Sequence, residues 1–137
     1  MYSIGGSDML SVRKELVQYL KEQTGLEVYY YSPPVNVNVS MPLLVLEEVD
    51  NTDYYYNYYS ETDREYEIAN ISYEISIYSI DPMNIFIFQD IIDKVMKRLG
   101  FKKTWTSNDG HVEPLWCKTM RFTGKIELKE NNYHIYK

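Results

Sequence analysis

Near the start of the chain, apolar residues recur at three- and four-residue spacing: Met9, Val12, Leu16 and Leu20, with Arg13, Lys14 and Glu15 on other faces. That period is helical. Ser7 is placed to cap a helix beginning at Asp8, an acid near the positive end of the helix dipole, and Gly25 to end it in a left-handed conformation. Leu26–Tyr31 then reads as a strand halted by Pro33-Pro34. Pro42 introduces Leu43-Leu44-Val45-Leu46, an unbroken apolar run that predicts a central strand covered on both faces. The polar, tyrosine-rich stretch Asp50–Glu65 predicts a long loop or the tip of an extended hairpin, a length unusual without a function.

Tyr66–Ile80 carries the strongest strand signal in the chain. Ile71, Tyr73, Ile75 and Ile77 alternate with Asn70, Ser72, Glu74 and Ser76, so one set faces a core and the other faces away. Ile68 breaks that phase, which predicts a bulge or bend near Ala69. Asp81-Pro82 closes the strand. A second helix follows from about Asn84 to Leu99, with Ile85, Phe88, Ile92, Val95 and Leu99 as its stripe, widened by Ile91. Asp90 with Lys94, and Asp93 with Lys97, set acid before base at i,i+4, each worth about 0.3 kcal/mol. Gly100 caps the helix. Phe101–Thr106 and Leu115–Leu128 predict strands around the turn Ser107–Gly110, and Asn131-Asn132 turns the chain into a short last strand at Tyr133–Tyr136.

These elements predict an α+β fold: a mixed, mostly antiparallel sheet against two α-helices, in the order α-β-β-β-α-β-β, with a long tyrosine-rich loop or hairpin arm. The 137 residues make one domain, with a core over about 8–128 and a short C-terminal hairpin extension. Composition agrees with a folded globular chain, at 45% hydrophobic and 25% charged residues. No apolar run approaches the roughly 18 residues of a membrane span. The N-terminus lacks the basic start and apolar stretch of a signal peptide. Cys117 stands alone, so an intrachain disulfide is excluded and a reducing compartment is expected.

Charge is unevenly placed. Residues 47–67 hold eight acids against Arg64, a local net of −7, while residues 94–129 hold nine bases against three acids, a local net of +6. The two segments suit neighbouring faces of one monomer, or matched surfaces of adjacent subunits.

Chemistry is sparse. His111 and His134 belong to no metal-binding spacing, and Cys117 has no base indicated beside it. Phosphate-binding glycine motifs do not occur. Glu47-Glu48 and Asp50 imitate a carboxylate pair, yet acids at a strand end are ordinary solvation. The net charge of −6 and the short Lys102-Lys103 patch argue against specific nucleic-acid binding. No catalytic residue, metal or cofactor is expected. The concentrated oddity is tyrosine: eight of the 15 lie in Tyr29–Tyr31 and in Tyr54, Tyr55, Tyr56, Tyr58 and Tyr59. Consecutive tyrosines cannot all face one core. An association surface and a β-arm packed on its own sheet explain them equally well. A carbohydrate-stacking platform comes third, and with it a small tyrosine-rich ligand-binding module without catalysis is the alternative function. A small enzyme uniting Glu47, Glu48 or Asp50 with His111 ranks last.

The order of elements resembles the tail-terminator (tail-completion, or collar) proteins of phages and of contractile phage-tail-like particles. Met41-Pro42-Leu43-Leu44-Val45-Leu46, the Ile71–Ile80 strand leading through Asp81 into the helix, Leu99-Gly100-Phe101 and Met120-Arg121-Phe122 carry the likeness, over residues 8–128. The resemblance implies a structural protein forming a ring, hexameric in that family, that caps the tail tube or sheath. Its partners would be copies of itself, tail-tube and sheath proteins, and a neck or head–tail connector protein. It would reside in the bacterial host cytoplasm during assembly, then in the virion or tail-like particle. In such a ring, Tyr54, Tyr55, Tyr56, Tyr58, Tyr59, Glu61, Asp63 and Glu65 of one subunit are expected to meet Lys102, Lys103 and Lys118 of the next.

Overall fold

The computed structural model describes residues 7–31, 41–49, 56–59, 67–107, 110–112, 115–129 and 132–135. The elements run α1 (Ser7–Thr24), β1 (Glu27–Tyr30), β2 (Leu43–Glu48), β3 (Tyr56–Tyr59), β4 (Glu67–Ser79), α2 (Pro82–Arg98), β5 (Lys102–Thr106), β6 (Gly110–Val112), β7 (Leu115–Lys129) and β8 (Asn132–Ile135). The fold is α+β, as the hydrophobic pattern predicts.

The two longest strands form its spine. β4 and β7 pair antiparallel without a register break from Glu67↔Leu128 to Ser79↔Trp116. β2 lies antiparallel on the other edge of β4, and β1 joins β2 in parallel, which makes the sheet mixed. The far edge of β7 is tiled by three short strands in turn: β8, β5 and β6.

Alternation on the spine decides where the core lies. Ile71, Tyr73, Ile75 and Ile77 are all sealed from water, and their cross-strand partners include Leu44, Leu46, Met120 and Phe122. Against this face pack Val12, Leu16 and Leu20 of α1 and Ile85, Ile92, Val95 and Met96 of α2. The expected stripe of α2 therefore holds, with Met96 added and Phe88 and Ile91 only partly covered. Leu43 and Val45, on the opposite face of β2, are buried as well, so this strand is covered on both faces as its unbroken apolar run requires.

Asp81-Pro82 does close β4, and α2 begins at Pro82, two residues before the expected Asn84: Asp81 caps it, its Oδ1 accepting from the Met83 backbone N–H at 2.9 Å. The expected helix ends are borne out. At the other end Gly100 takes φ +86°, and the N–H groups of Gly100 and Phe101 donate to the carbonyls of Lys97 and Met96. That is the Schellman closure, which needs the left-handed residue glycine supplies. Gly25 ends α1 with φ +74°.

Of the two readings of 50–65, the described residues bear out the hairpin arm: Tyr56–Tyr59 is a strand, β3, paired antiparallel with β4. Three readings are corrected. The irregularity near Ala69 lies in β3: Tyr56 opposes Ala69 and Tyr58 opposes Ile68, which leaves Asn57 as the extra residue, while β4 stays regular against β7. Asp93 pairs with Lys103 of β5 at 2.9 Å, not with Lys97 one turn on, because the end of α2 packs beside β5. After the turn that opens at Ser107, Gly110–Val112 adds a strand, β6. The expected Asp90–Lys94 pair forms, at 3.0 Å.

Candidate functional site

Three surfaces are candidates for function, and the face of the sheet turned away from the helices is the first. Ser72 and Ser76 of β4 meet Thr123 and Thr119 of β7, with hydroxyl oxygens 2.7 Å apart in both pairs. Between them, Arg121 donates from Nε and Nη2 to one carboxylate oxygen of Glu74, at 3.0 and 2.7 Å. Its guanidinium also lies 5.5 Å from the centre of the Trp105 ring. The polar side of β4 is thus knitted to β7 by matched hydroxyls and an ion pair, which satisfies those groups internally.

The second is a polar cluster at the rim of the core. Glu48 ends β2 on the helix-facing side, opposite Tyr73, and α1 brings Arg13 to 4.0 Å from its carboxylate. The Arg13 guanidinium lies 4.0 Å above the Tyr30 ring. Burial, and then the negative charge of Glu48, push the Tyr73 and Tyr30 phenols well above their ordinary range. Both phenols therefore remain neutral and act as packing groups. Glu47, one residue earlier, points to the opposite face of the strand. Glu47 and Glu48 thus cannot act as a carboxylate pair, and Asp50 lies outside the described residues. Among the described residues, no group of three or more His, Cys, Asp or Glu is placed to hold a metal ion.

The third surface is the outward side of α2. Its first half is apolar all round: seven of the ten residues from Met83 to Ile92 are hydrophobic, more than one stripe can use. Ile85, Ile92 and the partly buried Phe88 and Ile91 face inward. The surplus is left in water, with Met83 59%, Phe86 74% and Ile87 45% exposed, next to Ile80 at 64%. From Asp90 onward the same side turns charged, through Lys94 and Lys97. The core-facing stripe did not reveal this patch; the surplus of apolar residues in the first half of α2 is the signal that finds it.

Of the expected interface residues, Tyr54, Tyr55, Glu61, Asp63 and Glu65 lie outside the described residues. Tyr56, Tyr58 and Tyr59 form β3, whose backbone pairs with the start of β4. Lys102 and Lys103 are neighbours on β5 and so point to opposite faces, with Lys103 engaged by Asp93. Lys118 stands opposite Ile77, five positions along β7 from the Thr123 that pairs with Lys102. Tyr31, the last residue of its run, is 58% exposed and holds φ +78°, a left-handed conformation uncommon for a residue with a side chain.

The fold and these surfaces define a two-helix α+β domain with an exposed apolar helix face. Neither a protein-family model nor a curated protein sequence matches the chain. Among the described residues, no helix is long and apolar enough to cross a membrane.

Proposed function

We propose that this chain is a non-catalytic assembly subunit. It forms a homo-oligomeric ring, hexameric by the tail-terminator likeness of its element order, that caps a tail tube or sheath and joins it to a neck or connector protein. The observation that carries the assembly reading is the exposed cluster of Ile80, Met83, Phe86 and Ile87. A lone domain gains nothing by holding four large apolar side chains together in water, whereas a subunit interface buries them. The two ends of the molecule support a head-to-tail contact. This cluster lies at the C-terminal end of β4, and the tyrosine strand β3 pairs with its N-terminal end, so different surfaces are available at opposite ends.

Light scattering and negative-stain microscopy of the purified chain, alone and with tail-tube subunits, test the reading. Wild type should form closed rings. Phe86→Ser with Ile87→Ser should stay monomeric at the same concentration, with stability changed by no more than about 0.5 kcal/mol because both side chains are exposed. A wild-type chain that stays monomeric in both settings would exclude the ring.

A further inference from the structure

Lys102 of β5 pairs with Thr123 of β7, and Trp105 pairs with Arg121. Residues three apart on a regular strand point to opposite faces. Here Lys103 opposes Phe122 and Trp105 opposes Arg121, which leaves Thr104 as an extra residue, a bulge that shifts the phase of the strand. Lys102 and Trp105 therefore share one face, the outer face that holds Ser72 and Glu74, the β4 partners of Thr123 and Arg121. Lys125 joins them there, opposite Asn70. The three form a row: Lys125, then Lys102 beside Thr123, then Trp105 beside Arg121, each step about 7 Å along β7.

A hollow of about 500 Å³ lies in this row, lined by Asn70, Lys102, Thr104, Thr123 and Lys125. Phe101 turns the other way, into the core, so its ring takes none of this space. Among the described residues no acid lines the hollow, and the exposed Lys102 and Lys125 are not ion-paired. Arg121 differs, because Glu74 matches its charge. In a chain of net charge −6, two unmatched cations thus stand beside an indole that is 47% exposed. An anion is drawn to the two ammonium groups, whose flexible stems let them converge on it. A flat ring stacks on the indole, as bases do on aromatic side chains displayed by a sheet. One class of ligand carries both groups at this separation: a nucleotide, in which ribose links base to phosphate.

We propose that the outer face of β5 and β7 binds a nucleotide, with its phosphate between Lys102 and Lys125 and its base on Trp105. The site is independent of the assembly reading, since the apolar cluster of α2 contributes nothing to it.

Isothermal titration calorimetry of the full chain with adenosine 5′-monophosphate at low salt tests this. Saturable binding is expected. Ribose 5-phosphate and adenosine should each bind at least tenfold more weakly, because each lacks one half of the contact. Lys102→Gln/Lys125→Gln should weaken the monophosphate at least tenfold and leave adenosine unchanged. Trp105→Leu should weaken the monophosphate at least fivefold and leave ribose 5-phosphate unchanged. Thermal melts show whether the variants keep the fold, and the comparison of ligands on wild type needs no variant. The proposal is overturned by no saturable binding to wild type, by ribose 5-phosphate or inorganic phosphate binding as tightly as the monophosphate, or by folded variants that bind like wild type. A thymidylate pentamer, titrated beside thymidine 5′-monophosphate, separates the sources of the ligand. Tighter binding of the pentamer assigns the site to a single strand, and equal binding assigns it to a free nucleotide.

Discussion

Gly124 shows how one absent side chain shapes its surroundings. It stands opposite Ile71 in the β4–β7 ladder, and the buried Phe101 ring lies where its side chain would be. A Cβ at this position would meet three Phe101 ring atoms at 2.6 to 2.7 Å. Phe101 is also the residue on which the Schellman closure of α2 ends, so displacing its ring disturbs both strand and helix. Gly124→Ala should therefore cost about 1–3 kcal/mol, as overpacking does in a filled core. Urea melts of the variant check this, and an unchanged midpoint would mean that Phe101 has room to move. Nothing in Thr123-Gly124-Lys125 announces the constraint, because the ring comes from a residue 23 positions away in the chain.

Among the elements, β4 was the most legible and α2 the most incompletely read. The phase of β4 follows from strict alternation: its isoleucines and Tyr73 face the helices, and its serines and Glu74 face β7's threonines and Arg121. Ile75 is fully buried, so Ile75→Ala should cost about 2–4 kcal/mol. Ser76 only exchanges a hydroxyl contact with Thr119, so Ser76→Ala should cost about 0.5–1.5 kcal/mol. Denaturant melts that reversed this order would overturn the assignment of faces. In α2 the inward stripe was equally readable, but the outward patch was not. A periodicity count asks whether a helix has enough apolar residues for one face, and a surplus passes unnoticed. Likewise the Asp93–Lys97 pair satisfied the helical spacing and lost to Lys103, since β5 offered Asp93 a tertiary partner.

For the whole molecule, the tyrosines link stability to alkaline pH. Burial, then the charge of Glu48, raises the phenols of Tyr73 and Tyr30, and burial beside Cys117 pushes Tyr78 up to about 12. In the unfolded chain these groups ionise near their ordinary value of 10.0. Folded-state values raised above the unfolded ones leave stability intact below pH 10 and remove it as pH rises through the folded values. A tyrosine as deeply buried as Tyr73 should contribute a slope of about 1.4 kcal/mol per pH unit above that point. Tyr30 and Tyr78, more open to solvent, should contribute less. Urea midpoints at pH 8, 9, 10 and 11 should be level and then fall, and Tyr73→Phe should fall less steeply. A parallel fall in the two proteins would mean that Tyr73 does not carry the loss.

Local periodicity and backbone chemistry are legible along the chain. Helical and strand periods set the elements and their inward faces, Asp81-Pro82 set the end of β4, Gly100 set the end of α2, and the unbroken run Leu43–Leu46 set a strand covered twice. Tertiary structure decided what depends on distant neighbours. It placed Arg13 against Glu48 and Phe101 over Gly124. It also left Met83, Phe86 and Ile87 uncovered. Periodicity tells a side chain which way to point; only the packed elements decide whether anything stands there to meet it.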